Sequence, residues 1–143
     1  FEGHSSYVRN AGFSTDNSSI YSVAWDNTIR VWDINNQDDV KLAGGSHIDD
    51  VNAVAISPDG NIIASASVDK SIHLRDTQTG KILHILKGHK EEVFDISFTY
   101  DGTVLASGSR DRTVKLWSVK NGELLRTLTG HRNLVRSVAF SPS

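Results

Sequence analysis

Apolar and polar residues alternate along this chain in short runs that are separated by polar turns. The run Val51–Ile56 is followed by Ser57-Pro58-Asp59-Gly60, and a second run covers residues 62–67. Proline presets φ at the second position of such a turn, and glycine accepts the positive φ at its end. Alternation with a period of two is typical of half-buried β-strands. The pattern therefore predicts an all-β protein whose short strands are joined by tight turns.

The strand pattern repeats, and a histidine marks each copy. Histidines stand at positions 4, 47, 89 and 131, which gives steps of 43, 42 and 42 residues. A valine follows each of them by four positions, and an aspartate follows the first three by 22 positions. A repeat of about 40–45 residues made of short strands is the signature of a propeller blade. We therefore divide one predicted domain, residues 1–143, into repeats at about 3–45, 46–87 and 88–129 and a partial repeat at 130–143.

Each full repeat is predicted to contain four strands. In the third repeat these strands cover residues 94–98, 104–109, 114–117 and 124–128. The first repeat is the least regular copy, since Asn17 takes the place of the turn glycine. The partial repeat supplies a single predicted strand, Val135–Phe140.

Composition narrows the class of protein. A net charge of −2 gives no electrostatic basis for nucleic-acid binding, which needs clustered cations. The chain has no cysteine and no apolar run of about 18 residues, so we expect neither disulfides nor a membrane-spanning helix. We expect an intracellular protein, cytoplasmic in the first instance, with a nuclear location left open.

The repeat count also bears on assembly. The 143 residues hold three repeats and a third of another, whereas propellers close with about 4–8 blades. We therefore expect an incomplete ring, excised from a longer parent chain, because there is no methionine and both termini fall within a repeat. Its open ends would be completed by the missing repeats of that parent or by self-association.

Paired motifs point to a family. Gly3-His4 followed by Trp32-Asp33, and Gly88-His89 followed by Trp117-Ser118, with turns like Ser57-Pro58-Asp59-Gly60 between strands, resemble the WD40 (β-transducin-like) repeat family. The resemblance covers the whole chain. It implies four-stranded antiparallel blades arranged radially, with the innermost strand after each Gly-His. The chain would then form three full blades and one extra inner strand of a β-propeller.

The resemblance also implies a structural tetrad in each blade, made of a loop histidine, a second-strand serine, a tight-turn aspartate and a third-strand tryptophan. In the third repeat the members are His89, Ser109, Asp111 and Trp117. The second repeat has His47, Ser67 and Asp69, with Arg75 in place of tryptophan. The first repeat has His4, Asp26 and Trp32, with Ala24 in place of serine. Only the third blade is thus predicted to hold a complete tetrad.

A serine, a histidine and an aspartate in one repeat also fit a hydrolase. An enzyme needs only one catalytic triad, however, whereas this set of residues recurs from repeat to repeat, which favours a structural role. The chain also lacks a Gly-x-Ser-x-Gly elbow. His73 and His84 lie outside the period and show no metal-ligand spacing. We therefore predict no enzyme activity, no cofactor and no metal.

Binding positions follow from the resemblance as well. In this family they stand three and five residues after the histidine and one before the turn aspartate, facing the rim near the central channel. Here these residues are Tyr7, Arg9, Trp25, Asp50, Asn52, Val68, Glu92, Phe94, Arg110, Leu134 and Arg136. Aromatic residues and arginine are enriched at interface hot spots. Val68 and Leu134 could equally serve packing, and an exposed arginine or glutamate could simply be solvated.

The predicted function is that of a non-catalytic scaffold that binds a protein or peptide through this face, with no nucleic-acid or membrane partner. A purely architectural or sensor segment of a larger multidomain protein is the alternative.

Overall fold

The computed structural model describes residues 2–36 and 47–142 in full and the backbone alone of residues 40–42. Its strands form three four-stranded antiparallel sheets, each with its strands in chain order. We refer to each sheet as a blade. The first blade comprises β1 (Val8–Phe13), β2 (Ser19–Ala24), β3 (Ile29–Asp33) and β4 (Val40–Leu42). The second comprises β5 (Val51–Ile56), β6 (Ile62–Ser67), β7 (Ser71–Asp76) and β8 (Ile82–Lys87). The third comprises β9 (Val93–Phe98), β10 (Val104–Ser109), β11 (Val114–Ser118) and β12 (Leu124–Leu128).

In the second and third blades these strands match the predicted ones to within about a residue, and the prediction of three four-stranded antiparallel sheets is confirmed. The predicted boundary between residues 45 and 46 lies outside the described residues. In the described part of the chain, no helix is long and apolar enough to cross a membrane.

The first turn of each blade behaves as its residues require. Gly60 has a φ of +76°, and its N–H donates to the carbonyl of Ser57 at 2.8 Å. Asn17 takes the same role in the first blade, with a φ of +57° and a 3.0 Å bond to the carbonyl of Ser14. Asparagine is among the residues that tolerate this left-handed conformation best. The irregular first repeat therefore still turns at the expected place.

The blades are arranged around their first strands. β5 lies beside both β1 and β9, so the three first strands are neighbours while the sheets extend away from them. The largest apolar cluster lies between the second and third blades and joins Leu74 and Ile72 to Ile96 and Trp117. A smaller cluster joins the first blade to the second. The core is thus a set of interfaces between blades.

Small residues in the second strands let the blades approach closely. A Cβ atom on Gly108 of β10 would lie 2.9 Å from Val135 Cγ1 and 3.1 Å from Val138 Cγ1. Val135 is buried, and its N–H donates to the carbonyl of Ser109 at 2.9 Å. The predicted inner strand Val135–Phe140 therefore packs on the third blade, but as an unpaired segment. No strand of the described residues forms a ladder with it.

Candidate binding face and the hydrogen-bonded tetrads

A chain of three hydrogen bonds crosses the third blade. The Nδ1–H group of His89 donates to Asp111 Oδ2 at 2.7 Å, and the hydroxyl of Ser107 donates to His89 Nε2 at 2.7 Å. The indole N–H of Trp117 in turn donates to Ser107 Oγ at 2.8 Å. This histidine tautomer follows from the ionised carboxylate on one side and the hydroxyl on the other. The tetrad ties the loop histidine and the tight turn to β10 and β11.

The tetrad serine is Ser107, so the prediction of Ser109 is wrong. Residues two apart in a strand point to the same face, and therefore both serines face the histidine side of the sheet. The register decides between them. Ser107 lies opposite Lys115, one diagonal step from Trp117, while Ser109 lies beyond the end of the β10–β11 ladder. Ser109 instead donates to the carbonyl of Glu91 at 3.1 Å and accepts from the N–H of Asp111 at 3.1 Å.

Ser67 is misassigned for the same reason. The second-blade hydroxyl that reaches His47 Nε2, at 2.8 Å, belongs to Ser65. Ser67 donates to the carbonyl of Asp50 at 2.8 Å and accepts from the N–H of Asp69 at 3.0 Å. Ser67 and Ser109 thus hold the backbone of the tight turn against the loop that precedes the first strand.

The first blade holds a complete tetrad, contrary to the prediction that Ala24 leaves it without a serine. His4 Nδ1 lies 2.9 Å from Asp26 Oδ2, and His4 Nε2 lies 2.7 Å from Ser22 Oγ. Trp32 completes it with a 2.7 Å bond to Ser22 Oγ. Ala24 occupies the position of Ser109, which is not the tetrad position. Two blades, the first and the third, are therefore fully linked.

The second blade replaces the tryptophan with a different arrangement. His47 still lies 2.8 Å from Asp69 Oδ2, but its ring stacks on that of His73, with centroids 3.7 Å apart and planes 11° apart. In the third blade, His89 and Trp117 meet edge to face, at 6.1 Å and 62°. Arg75, at the tryptophan position, donates to the carbonyl of Gly80 at 3.2 Å. On its histidine side, the second blade therefore carries a stacked histidine pair and a guanidinium where the other blades carry a tryptophan.

The electrostatics favour the neutral form of His47 and His89 and the ionised form of Asp26 and Asp111. Burial disfavours the imidazolium form, lowering the pKa of His47 and His89 despite their aspartate partners and that of His73 to about 4. Burial alone would raise the pKa of Asp26, but hydrogen bonds led by that from the Thr28 hydroxyl lower it to about 2. The same balance, led by Thr113, holds the pKa of Asp111 well below its usual range.

This geometry argues against chemistry at the tetrads. Ser107 and Ser65 are fully buried, and each hydroxyl already meets a histidine, so neither is open to a substrate carbonyl. His47, Asp69 and His73 bring potential metal ligands within 4.8 Å of one another. Because the two imidazoles are stacked, their nitrogen lone pairs lie in separate parallel planes, and one ion could not meet both without rotation of a ring. The tetrads therefore act as structural links.

The predicted binding positions are brought together in pairs by backbone hydrogen bonds. The N–H of Trp25 donates to the carbonyl of Tyr7 at 3.0 Å, and the N–H of Arg110 donates to that of Glu92 at 2.9 Å. Val68 donates to Asp50 in the same way, at 2.9 Å. The residue before each turn aspartate thus sits beside the residue three after each histidine. We call the rim that carries all the predicted binding positions the top face.

In each of the three blades a β-bulge lies five residues after the histidine. The ladder between the first and second strands skips one residue at Arg9, at Asn52 and at Phe94. A bulge adds an unpaired residue and redirects its side chain. The three residues that follow the histidines by five positions are therefore all displaced from the regular pleat at the same height.

Two groups of aromatic and cationic side chains occupy the top face. In the first blade Tyr7 is 75% exposed and meets the Trp25 ring edge to face at 5.6 Å, while the Arg9 guanidinium lies 5.1 Å from the same ring. At the third blade the guanidinium of Arg136 lies 5.6 Å from the Phe94 ring. These groups combine apolar area with hydrogen-bond donors, as interface hot spots do.

Other predicted binding positions are engaged within the protein. Asn52 is buried, and its amide donates to the carbonyl of Val93 at 3.1 Å, so it links the second blade to the third. Arg110 forms a 3.0 Å ion pair with Glu92. Val68 and Leu134 are half-buried. The pKa of Asp50 is raised, by partial burial and by the neighbouring charge of Asp49.

The structure adds members to this face that the sequence reasoning missed. Lys70 and Glu91 form an ion pair at 3.5 Å across two blades. The sequence could have indicated both residues, because Lys70 follows the turn residue Asp69 and Glu91 precedes the rim residue Glu92. The periodic rule selected single positions, however, and passed over their neighbours.

Comparison with known proteins identifies the family of these repeats. The sequence pattern of the family described as WD domain, G-beta repeat (WD40) matches residues 1–33, 42–76, 80–118 and 122–143. The chain is 40% identical over 88 residues to small ribosomal subunit protein RACK1y of Oryza sativa subsp. japonica, covering 59% of this chain and 26% of that protein. With small ribosomal subunit protein RACK1 of Caenorhabditis elegans the identity is 35% over 88 residues, covering 60% and 27%. The chain thus spans about a quarter of the length of these relatives.

Solved structures agree with the fold. The structure of U3-55K superposes with a TM-score of 0.89 at 30% identity, over 96% of this chain and 44% of that one. The crystal structure of the RRP9 WD40 repeats gives 0.89 at 30% identity, over 96% and 43%. The predicted partial propeller of WD40-type blades is confirmed by this agreement. Four successive family matches, on blades held by histidine–aspartate links, show that the chain belongs to the WD domain, G-beta repeat family.

Proposed function

We propose that this chain is a non-catalytic scaffold segment that binds a protein or peptide through its top face. The carrying observation is the set of three equivalent bulges, which displace Arg9, Asn52 and Phe94 at the same height of neighbouring inner strands. In two of the three blades the displaced residue takes part in an aromatic–guanidinium contact. Such side chains bury large areas and donate directional hydrogen bonds, which suits recognition of another polypeptide.

The polar groups that would be needed for catalysis support the same proposal. The serine, histidine and aspartate side chains of the tetrads hydrogen-bond to one another in all three blades. Their repetition and burial are what a structural link requires. We therefore propose that they hold the blades rigid, so that the top face is presented in a fixed shape.

The relatives suggest a cellular setting. The rice and worm proteins are named as small ribosomal subunit proteins, and this chain covers about a quarter of each. We propose an intracellular location on this basis, with the cytoplasm as its compartment.

An architectural role is the second candidate, and one observation favours it. In the second blade the top-face positions serve packing, since Asn52 bonds to the next blade and Val68 is half-buried. If the top-face positions of the other two blades also served packing, the segment would have a purely architectural role.

Substitutions on the top face distinguish the two roles. Arg9→Ala, Phe94→Ala and Arg110→Ala each remove one side chain from this face. Arg126→Ala on the exposed outer strand β12 is the matched control. Proteins captured from a cell lysate by the purified chain would be compared by quantitative mass spectrometry, after thermal melts establish that each variant is folded.

We expect one set of captured proteins to be lost with the top-face variants and kept with Arg126→Ala. Retention of every protein by all three top-face variants would contradict binding through this face and leave the architectural role.

A further inference from the structure

Two arginines of the top face, Arg9 and Arg136, each lie over an aromatic ring. The guanidinium carbon of Arg9 lies 5.1 Å from the Trp25 ring, and that of Arg136 lies 5.6 Å from the Phe94 ring. A guanidinium placed over an aromatic ring keeps its N–H groups in its own plane, where they can meet a carboxylate bidentately. The ring thus holds the cation in place without using its donors.

These two arginines differ from the other cations of the same face. Arg110 is paired with Glu92 at 3.0 Å, and Lys70 is paired with Glu91 at 3.5 Å. Among the described residues, neither Arg9 nor Arg136 forms an ion pair with a carboxylate. Arg9 and Arg136 are therefore two cations that lie beside an aromatic ring and not beside a carboxylate, one on the first blade and one at the edge of the third.

Each of these arginines has apolar surface beside it. Tyr7 is 75% exposed and Trp25 is 39% exposed, and their rings touch beside Arg9. Phe94 is half-buried under Arg136. An anionic group at either arginine would therefore have an aromatic ring beside it, which suits an apolar or aromatic neighbour.

The acidic residues of the face restrict the kind of anion. Asp49 and Asp50 lie on the loop before β5, between the two arginines. Burial first, and then the charge of Asp49, raise the pKa of Asp50, and the two carboxylates are adjacent in the chain. A continuous polyanion such as RNA would cross these carboxylates as it passed from one arginine to the other. Isolated acidic side chains on a peptide would avoid them.

We infer that the partner segment is an extended peptide that carries a glutamate or aspartate next to an apolar residue, with the carboxylate bound by Arg9 or Arg136. This inference rests on the proposed function and adds the chemistry of the ligand to it.

The test uses the purified chain and a phage-displayed library of random peptides. Enriched peptides would be synthesised with a fluorescent label, each beside a version in which its glutamate and aspartate residues are replaced by glutamine and asparagine. Fluorescence anisotropy then gives the affinity of both versions for the wild-type chain, Arg9→Ala, Arg136→Ala and the matched control Arg126→Ala.

We expect the enriched peptides to contain an acidic residue beside an aromatic or aliphatic one, and the amide version to bind about tenfold more weakly, as for loss of a charge-assisted pair. Arg9→Ala or Arg136→Ala should abolish the difference between the acidic and amide versions, whereas Arg126→Ala should preserve it. Arg9→Lys should restore only part of it, because lysine cannot bind bidentately.

Three results would overturn the inference. The first is a set of peptides whose affinity falls with Tyr7→Ala but is equal for the acidic and amide versions. This result would refute recognition of a carboxylate and leave the proposal of binding through the top face intact. Peptides whose binding survives every top-face substitution would refute both. Binding of a short oligouridine RNA that competes with the peptides and depends on Arg9 would replace the peptide with a nucleic acid.

Discussion

Replacing Ser107 with alanine removes the centre of the third-blade tetrad. Its Oγ lies 2.7 Å from His89 Nε2 and 2.8 Å from Trp117 Nε1, and all three residues are buried. The substitution leaves one buried donor and one buried acceptor without partners, at about 1–3 kcal/mol each. We therefore expect the free energy of unfolding to fall by about 2–6 kcal/mol.

A double-mutant cycle with Trp117→Phe isolates the link. The single change Trp117→Phe removes the indole donor and leaves the bond from Ser107 to His89. If the tetrad is a connected unit, the effects of Ser107→Ala and Trp117→Phe should differ from additivity by about 1–2 kcal/mol. The cycle between Ser109→Ala and Trp117→Phe should be close to additive, since Ser109 bonds to Glu91 and Asp111 instead.

Urea denaturation followed by far-ultraviolet circular dichroism at neutral pH measures these quantities without relying on tryptophan emission. Ser97→Ala in β9 is the matched control, because this serine lies in the same blade and pairs with Ala106, which is not a tetrad member. A Ser107→Ala protein that unfolds at the same urea concentration as Ser97→Ala would refute the stabilising role. A larger coupling of Trp117 to Ser109 than to Ser107 would refute the assignment of the tetrad serine.

Two further predictions concern acidity and assembly. In the folded protein the pKa values of His47 and His89 lie below 6.5 and that of His73 is about 4, while the unfolded chain binds protons from pH 6.5 downward. The free energy of unfolding should therefore decrease as the pH falls from about 6.5 toward 4. In urea titrations at stepped pH, a His73→Phe variant should lose stability less steeply than the wild-type chain. An equal dependence of stability on pH in the two proteins would contradict this prediction. Val8 and Phe13 on β1 and Leu124 on β12 are exposed, at 55%, 63% and 44%, so the isolated chain should self-associate through its outer blades. Light scattering at micromolar concentration checks this, and a stable folded monomer would contradict it.

Much of the fold was accessible from residue spacing. Period-two alternation predicted the strands, because side chains of a strand point alternately to its two faces, and the 42- or 43-residue step between histidines predicted the blades. The first turn was predictable even in its irregular copy, since Asn17 supplies the positive φ that glycine supplies elsewhere. The pairing of the rim positions recurs in each blade of the structure, because equivalent residues take equivalent places there.

The assignment of the tetrad serine was not accessible in this way. Ser107 and Ser109 share a face of β10, and only the register against β11 places one of them within reach of Trp117. The wrong choice then made Ala24 look like a missing member, although Ser22 was present. The stacking of His47 on His73 was also hidden, since His73 lies outside the histidine period.

The sequence by itself therefore determined the repeat, the strands and the turns, because these depend on the order and local preferences of residues, while the family resemblance supplied the set of positions on the rim. Only the tertiary structure decided which rim side chains are available. Asn52 and Phe94 hold equivalent positions, yet Asn52 bonds to the next blade while Phe94 supports an arginine. The contacts that decide this come from the neighbouring blade, about 40 residues away along the chain, and so local periodicity carries no record of them.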